Sequence, residues 1–334
     1  MFEGLIGGFY DCLEPFNLTL LFLGTFLGLL VGALPGLSSP MAIIILLPVT
    51  YSLNPLPALL VMIGVYVGTK LGGSFAAILL RTPGTPASAC TALDGFPMAE
   101  KGEAGLALGY ATYGSFVGGL SSWIIAVTFI PVISAIALKS SNADIALIGI
   151  MGLVMVSAFT RGSMLKGFIG VCVGLLIGCM GMDRVDTIER FTFGSLDLLT
   201  GVPFAAALVG LFGFAVVISD LSLMKSKAEL VATKFRIKLP TFKQFFSRWK
   251  AWGIGSFMGA IVGAVPGVGA DGATWLAYGT VKNNSKNPEE FGLGNPDGVI
   301  APETANNGTT GGAMVPMLTL GIPGDASTAI MIGA

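Results

Sequence analysis

No Asp, Glu, Lys or Arg occurs across residues 15–69. Soluble domains carry about 25% charged residues, so a stretch this long without one cannot form a water-facing surface. The rest of the chain follows suit: 334 residues are 53% hydrophobic and only 11% charged. A soluble globular protein is excluded, and the length suits on the order of ten membrane passes or partial passes at about 20 residues each. The uncharged run is too long for one crossing. Pro35-Gly36, Pro40, Pro48, Pro55 and Pro57 divide it, because proline lacks the N–H that continues a helix. A helix is expected over 16–34, a segment too short to span over 41–53, and another helix from Ala58. The uncharged run 104–138 reads as one tilted helix bending near Pro131. Further spans are expected over 143–160, 164–181 and 200–222, and apolar pieces recur over 251–265, 270–281 and 308–321. The fold class is an all-α integral membrane protein, a polytopic helical bundle.

Composition removes several chemistries. There is no histidine, which excludes Ser-His-Asp and Cys-His catalysis, His-ligated zinc and haem His ligation. Net charge is −1, so no basic field calls for nucleic acid. Cys12, Cys90, Cys172 and Cys179 form no CxxC and read as small hydrophobes. No metal site and no catalytic residue is expected. With no basic residue before Lys70, the N-terminus is not a signal peptide. Residues 1–14 read as a short interfacial helix, although they lack the usual basic face.

Charge also orients the chain. Residues 225–250 hold 8 of the 18 basic residues and one acid, Glu229. The positive-inside rule makes this stretch cytoplasmic, with Lys101, Arg161 and Lys166 on the same side. Residues 181–199 and the N-terminus then lie outside. Four units result: the interfacial segment 1–14, a first repeat with connecting helices over 15–222, a basic cytoplasmic loop over 223–250, and a second repeat over 251–334. The last reads as truncated, since it stops inside an apolar run.

The repeat is explicit. GLLVGALPGLSS (28–39) recurs as GAIVGAVPGVGA (259–270), 231 residues on, aligning Pro35-Gly36 with Pro266-Gly267. GGSFAAILLRTPGTPAS (72–88) resembles GGAMVPMLTLGIPGDAST (311–328), aligning Pro83-Gly84 with Pro323-Gly324, 240 residues on. The charge reading starts the two copies on opposite sides, as in the inverted repeats of many secondary transporters. Residues 251–265 make only about 22 Å of helix against a hydrocarbon core of about 30 Å. Pro266-Gly267 therefore breaks a helix at membrane depth, where freed backbone is tolerated only in protein or around a cavity. Such breaks present N–H groups to anions and carbonyls to Na⁺.

The candidate site residues follow the turns. Ser38, Ser39, Thr85 and Ser88 would cap half-helices and bind a carboxylate or ion; the plainer reading is ordinary N-capping. Gly269, Asp271 and Asp325 follow the turns of the second repeat. The two aspartates would ligate Na⁺ or neutralise Lys70 and Arg81. Lys70 and Arg81, in apolar flanks, are possible anion contacts, with snorkelling to the interface as the rival. PETANN (302–307) places Glu303, Asn306 and Asn307 before a turn expected at Gly311-Gly312. Their oxygens suit an ion or a substrate network, or else loop chemistry at the membrane surface.

These motifs (GALPGLSSPMAIIILLPVTY, LLRTPGTPASACTALDGFPMAEKGEA, GAVPGVGADGATWLAYG and GVIAPETANNGTTGGAMVPMLTLGIPGDASTA) resemble the large membrane subunit of the tripartite tricarboxylate transporters over nearly the whole chain. The resemblance implies a permease subunit of the bacterial inner membrane. It would work with a small membrane subunit and a periplasmic solute-binding protein to import carboxylates with Na⁺ as coupling ion. The alternatives are an ion or solute channel and an intramembrane aspartyl protease. Nothing resembles the selectivity filter of a channel. An intramembrane aspartyl protease needs a GxGD, whereas Gly267-Val268-Gly269-Ala270-Asp271 is one residue longer.

Overall fold

The computed structural model describes residues 2–34, 36–139, 141–159, 163–183, 188–202, 206–207, 210–211, 218 and 239–333. Apart from one antiparallel pairing of Gly181–Met182 with Glu189–Arg190, the regular structure among them is helical. A short helix α1 (Phe2–Leu13) precedes α2 (Pro15–Gly32), α3 (Ser39–Thr50) and α4 (Pro55–Leu80). A 3₁₀ turn (Pro86–Ser88) leads into α5 (Ala89–Glu100), and α6 (Ala104–Ala137) follows as one continuous helix. A hairpin of α7 (Asn142–Phe159) and α8 (Met164–Gly178) comes next. After α9 (Phe242–Phe246) the second copy comprises α10 (Trp249–Ala264), α11 (Gly269–Asn283), α12 (Asp297–Leu320) and α13 (Ala326–Ile332). Proline opens α2, α3 and α4, where its missing N–H is an orphan in any helix. By length and composition, Pro15–Gly32, Pro55–Leu80 and Ala104–Ile136 are able to cross a membrane.

Two expectations need correction. The apolar piece placed over 308–321 is the second half of α12, which begins at Asp297. PETANN lies inside that helix, and Gly311-Gly312 is no turn. Every residue over 298–317 is buried, so the polar side chains of α12 face protein rather than lipid. A hydropathy pattern undercounts such a helix. At 24 residues it is about 36 Å long. The span expected over 200–222, and the basic loop up to residue 238, lie largely or wholly outside the described residues. The end of that loop folds: Thr241 caps α9 with Gln244, Phe245 is buried, and Phe242 stacks on Tyr113 of α6 at 5.9 Å between centroids.

The two copies match element by element. In the first, Gly24, Gly28 and Gly32 of α2 abut Val61, Val65 and Thr69 of α4. In the second, Gly255, Gly259 and Gly263 of α10 abut Ala301, Ala305 and Thr309 of α12. A Cβ on Gly28 would stand 2.4 Å from the Val65 carbonyl oxygen, and one on Gly259 2.6 Å from that of Ala305. Both are too close for a side chain. Within each copy the long helices run parallel, and the half-helix between them (α3 or α11) doubles back. The register of contacts between copies shows the inversion. Lys70 of α4 reaches Asn306 and Thr309 of α12, whereas Ser74, one turn on, reaches Glu303, one turn back. The equivalent helices α4 and α12 thus pack antiparallel, with Lys70 close to the pseudo-two-fold axis.

Candidate functional site

Each Pro-Gly turn stops a long helix inside the bundle and starts a half-helix. Gly36 and Gly267 take positive φ, 93° and 84°, which a side chain resists. The Gly267 N–H donates to the Gly324 carbonyl at 3.0 Å, so the two turns of the second copy lock together. In the first copy Gly84 packs against Gly32 and Gly73. The N-terminal ends of α3, the 3₁₀ turn before α5, α11 and α13 consequently surround one cavity of about 450 Å³. Its wall includes Ser38, Ser39, Lys70, Thr85, Gly267, Gly269, Asp271, Asn306, Pro323 and Asp325.

Not all the residues named from sequence reach that wall. Gly36, Pro83, Gly84, Ser88, Pro266, Asn307 and Gly324 form or support the turns and helices behind it. Pro35 lies outside the described residues. Ser88 bonds Thr85 in a capping box rather than facing the cavity. Arg81 is absent from the wall and does not meet Asp325. It is the left-handed C-cap of α4 (φ 56°), exposed, with its guanidinium 5.4 Å from the Phe96 ring centroid. Its counterpart in the second copy is Gly321, also left-handed at φ 67°.

Lys70 is buried, and its ammonium donates to the Asn306 carbonyl at 2.8 Å and the Thr309 hydroxyl at 2.5 Å. It also lies 4.6 Å from the centroid of Tyr66, a cation–π distance. Asp325 caps α13 by accepting the Thr328 N–H at 2.9 Å and takes the Tyr66 hydroxyl on its other oxygen. Asp271 sits in the first turn of α11. Ser39 accepts from Thr69 at 2.6 Å. The Asn306 amide has no partner on either atom although it is wholly buried, and buried polar groups are rarely left so.

The sequence reading missed Tyr66 and Ser327 on the wall. It also missed Asp94 of α5, which ties the copies together. Its carboxylate accepts the N–H groups of Gly292, Gly294 and Asn295 at 2.9, 2.9 and 2.7 Å, and the Tyr278 hydroxyl at 2.9 Å. The only sequence signal for this clamp is a charge in an otherwise apolar segment.

Two inverted copies that carry broken helices to one cavity in an apolar helical bundle are the arrangement found in many secondary transporters. Residues 18–334 match the Tripartite tricarboxylate transporter TctA family, and the chain belongs to that family. It is a transporter family, not an enzyme family. Among relatives, the chain is 39% identical over 328 residues to the "Uncharacterized 52.8 kDa protein in TAR-I ttuC' 3'region" of Agrobacterium vitis, covering 98% of this chain and 65% of that protein. It is 45% identical over 76 residues to the "Uncharacterized protein in TAR-II ttuC' 3'region" of the same organism, covering 23% of this chain and 31% of that one. No solved structure matches.

Proposed function

We propose that the chain is the permease subunit of a bacterial inner-membrane importer, and that the cavity holds a carboxylate during transport. Tricarboxylates and other small carboxylates are the substrate class. The observation that carries this reading is the meeting of half-helix N-termini with Lys70 at one cavity. Free N–H groups and the positive helix ends favour an anion there, and an ammonium adds a charge-assisted donor. The cavity is polarised. On the first-copy side the helix starts carry only hydroxyls: Ser38, Ser39 and Thr85. On the second-copy side they carry Asp271 and Asp325. A carboxylate group therefore docks toward α3, α5 and Lys70, and the aspartates face substrate hydroxyls or a cation. Na⁺ is the coupling ion in this reading, with a small membrane subunit and a periplasmic solute-binding protein as partners. The antiparallel packing of α4 on α12 supports the opposite orientation of the copies, with residues 1–14 periplasmic and 225–250 cytoplasmic.

The test is uptake of labelled citrate, succinate and benzoate by vesicles containing the protein with its two partner subunits. Saturable uptake driven by an inward Na⁺ gradient, abolished by Lys70→Met, is expected. Non-saturating flux, or full uptake by Lys70→Met, overturns the proposal.

A further inference from the structure

One buried acid is not part of the cavity. Glu303 of α12 is wholly inaccessible and lies one turn from Asn306 on the side away from Thr309. Three elements of the first copy converge on its carboxylate: the hydroxyl of Ser74 from α4 at 2.5 Å, that of Thr91 from α5, and that of Ser115 from α6 at 3.3 Å. A charge at this depth needs compensating partners; Lys70, one turn away on α4, attracts this carboxylate but directs its hydrogen bonds to Asn306 and Thr309.

A second observation points to a ligand. Asn307, four residues on and on the same helix face, has neither amide atom paired although it is wholly inaccessible. Helical side chains lean toward the N-terminus, which directs an amide four residues on toward the Glu303 turn. We infer that Glu303, Ser74, Thr91, Ser115 and Asn307 form a binding site for a monovalent alkali cation, separate from the carboxylate cavity.

The donor chemistry supports an alkali cation over a proton. The cluster supplies two carboxylate oxygens, three hydroxyls and an amide oxygen. Hard cations take about six or more such oxygens, whereas a proton uses one. A single carboxylate balances one positive charge and would leave a divalent ion in excess. The hydroxyl hydrogens can turn away from a cation: Ser74 Oγ already stands 3.1 Å from the Lys70 carbonyl. The site also adjoins the cavity mechanically. The α4 turn from Lys70 to Ser74 grips the α12 turn from Glu303 to Thr309 at both ends, so occupancy at Glu303 bears on the position of Lys70. The binding site stands on its own geometry; its role in coupling rests on the proposed function.

The test is thermal unfolding of the purified protein, with NaCl, KCl and choline chloride exchanged at constant ionic strength, and at two pH values. The expected result is a saturable rise in midpoint with Na⁺ over choline. It should vanish in Glu303→Gln, and Ser115→Ala should raise the half-saturating Na⁺ about tenfold. Ser115→Ala removes only a peripheral donor, so it reads the site even where Glu303→Gln fails to fold. A wild-type midpoint indifferent to Na⁺ and K⁺, one that responds to pH alone, or an alkali response unchanged in Ser115→Ala overturns the inference. A carboxylate-induced shift in choline chloride, measured on the same protein, keeps the two proposals apart. Its presence without any alkali response leaves the cavity reading intact and removes this one; the converse leaves the cation site and removes the carboxylate.

Discussion

The two copies share a backbone and differ in chemistry. Gly24, Gly28 and Gly32 meet Val61, Val65 and Thr69 just as Gly255, Gly259 and Gly263 meet Ala301, Ala305 and Thr309. Both copies break after a Pro-Gly turn, and both end their second long helix on a left-handed residue, Arg81 or Gly321. At the cavity the likeness stops. The first copy offers bare half-helix starts with hydroxyls, and the second neutralises its starts with Asp271 and Asp325. Lys70, near the pseudo-axis, has Thr310 as its counterpart. Backbone geometry is therefore what the duplication preserves, since close helix approach and positive φ tolerate few substitutions. The side chains facing the cavity were free to diverge into an anion side and an acidic side.

The largest effect should come from the shared scaffold. Gly28→Leu and Gly259→Leu each drive a side chain into a facing backbone carbonyl, at a cost of at least about 1–3 kcal/mol. Both should abolish monodisperse protein on size-exclusion chromatography. Wild-type behaviour of either one breaks the equivalence of the copies.

Lys70→Met should weaken carboxylate binding by about 10–100-fold, the worth of a hydrogen bond to a charged group at roughly 1.5–3 kcal/mol. Thr310→Val, at the matching position, should leave binding nearly unchanged. Isothermal titration of the two variants reads the difference, and equal losses contradict the asymmetry.

A smaller effect separates the two sides of the cavity. Ser39→Ala and Thr85→Val should each weaken carboxylate affinity by about fivefold, near 1 kcal/mol per hydrogen bond. Asp325→Asn should tighten it a few-fold, because asparagine still caps α13 while a like charge is removed. Weaker binding by Asp325→Asn would show that this aspartate serves the anion indirectly, against the polarity drawn above.

The smallest effect is at the left-handed caps. Arg81→Gly should stabilise the protein by about 1 kcal/mol, since glycine relieves the αL penalty of a side-chain-bearing residue. Transport should be unaffected, because Arg81 is not on the cavity wall. A transport defect in a well-folded Arg81→Gly protein would return that side chain to the substrate path.

Much of the architecture was legible because its causes are local. Uncharged runs announce lipid or protein surroundings. Proline removes an N–H wherever it stands, so the starts of α2, α3 and α4 follow from the residues themselves. Positive φ at Gly36 and Gly267 follows from the same kind of rule. Of the residues picked out near the Pro-Gly turns, eight line one cavity, with Lys70 and Asn306 beside them, since half-helix starts inside a bundle converge on its interior. α12 was misread for the opposite reason. Its Glu303, Asn306, Asn307, Thr309 and Thr310 look like a polar loop until neighbouring helices bury them all.

The sequence by itself determined that helices break at the Pro-Gly turns, that the pattern occurs twice, and that the chain is apolar enough for lipid. These depend on what one residue does to its own backbone and to the solvent around it. Only the tertiary structure decided which charges meet. Lys70 bonds a residue 236 positions away, Tyr66 bonds Asp325 across 259, and Thr91 bonds Glu303 across 212. The packing of α4 and α5 of the first copy against α12 and α13 of the second sets all three, and their strength comes from the low-dielectric interior that this packing creates. No local pattern carries that information, because the partner of a buried charge is chosen by the packing that buries it.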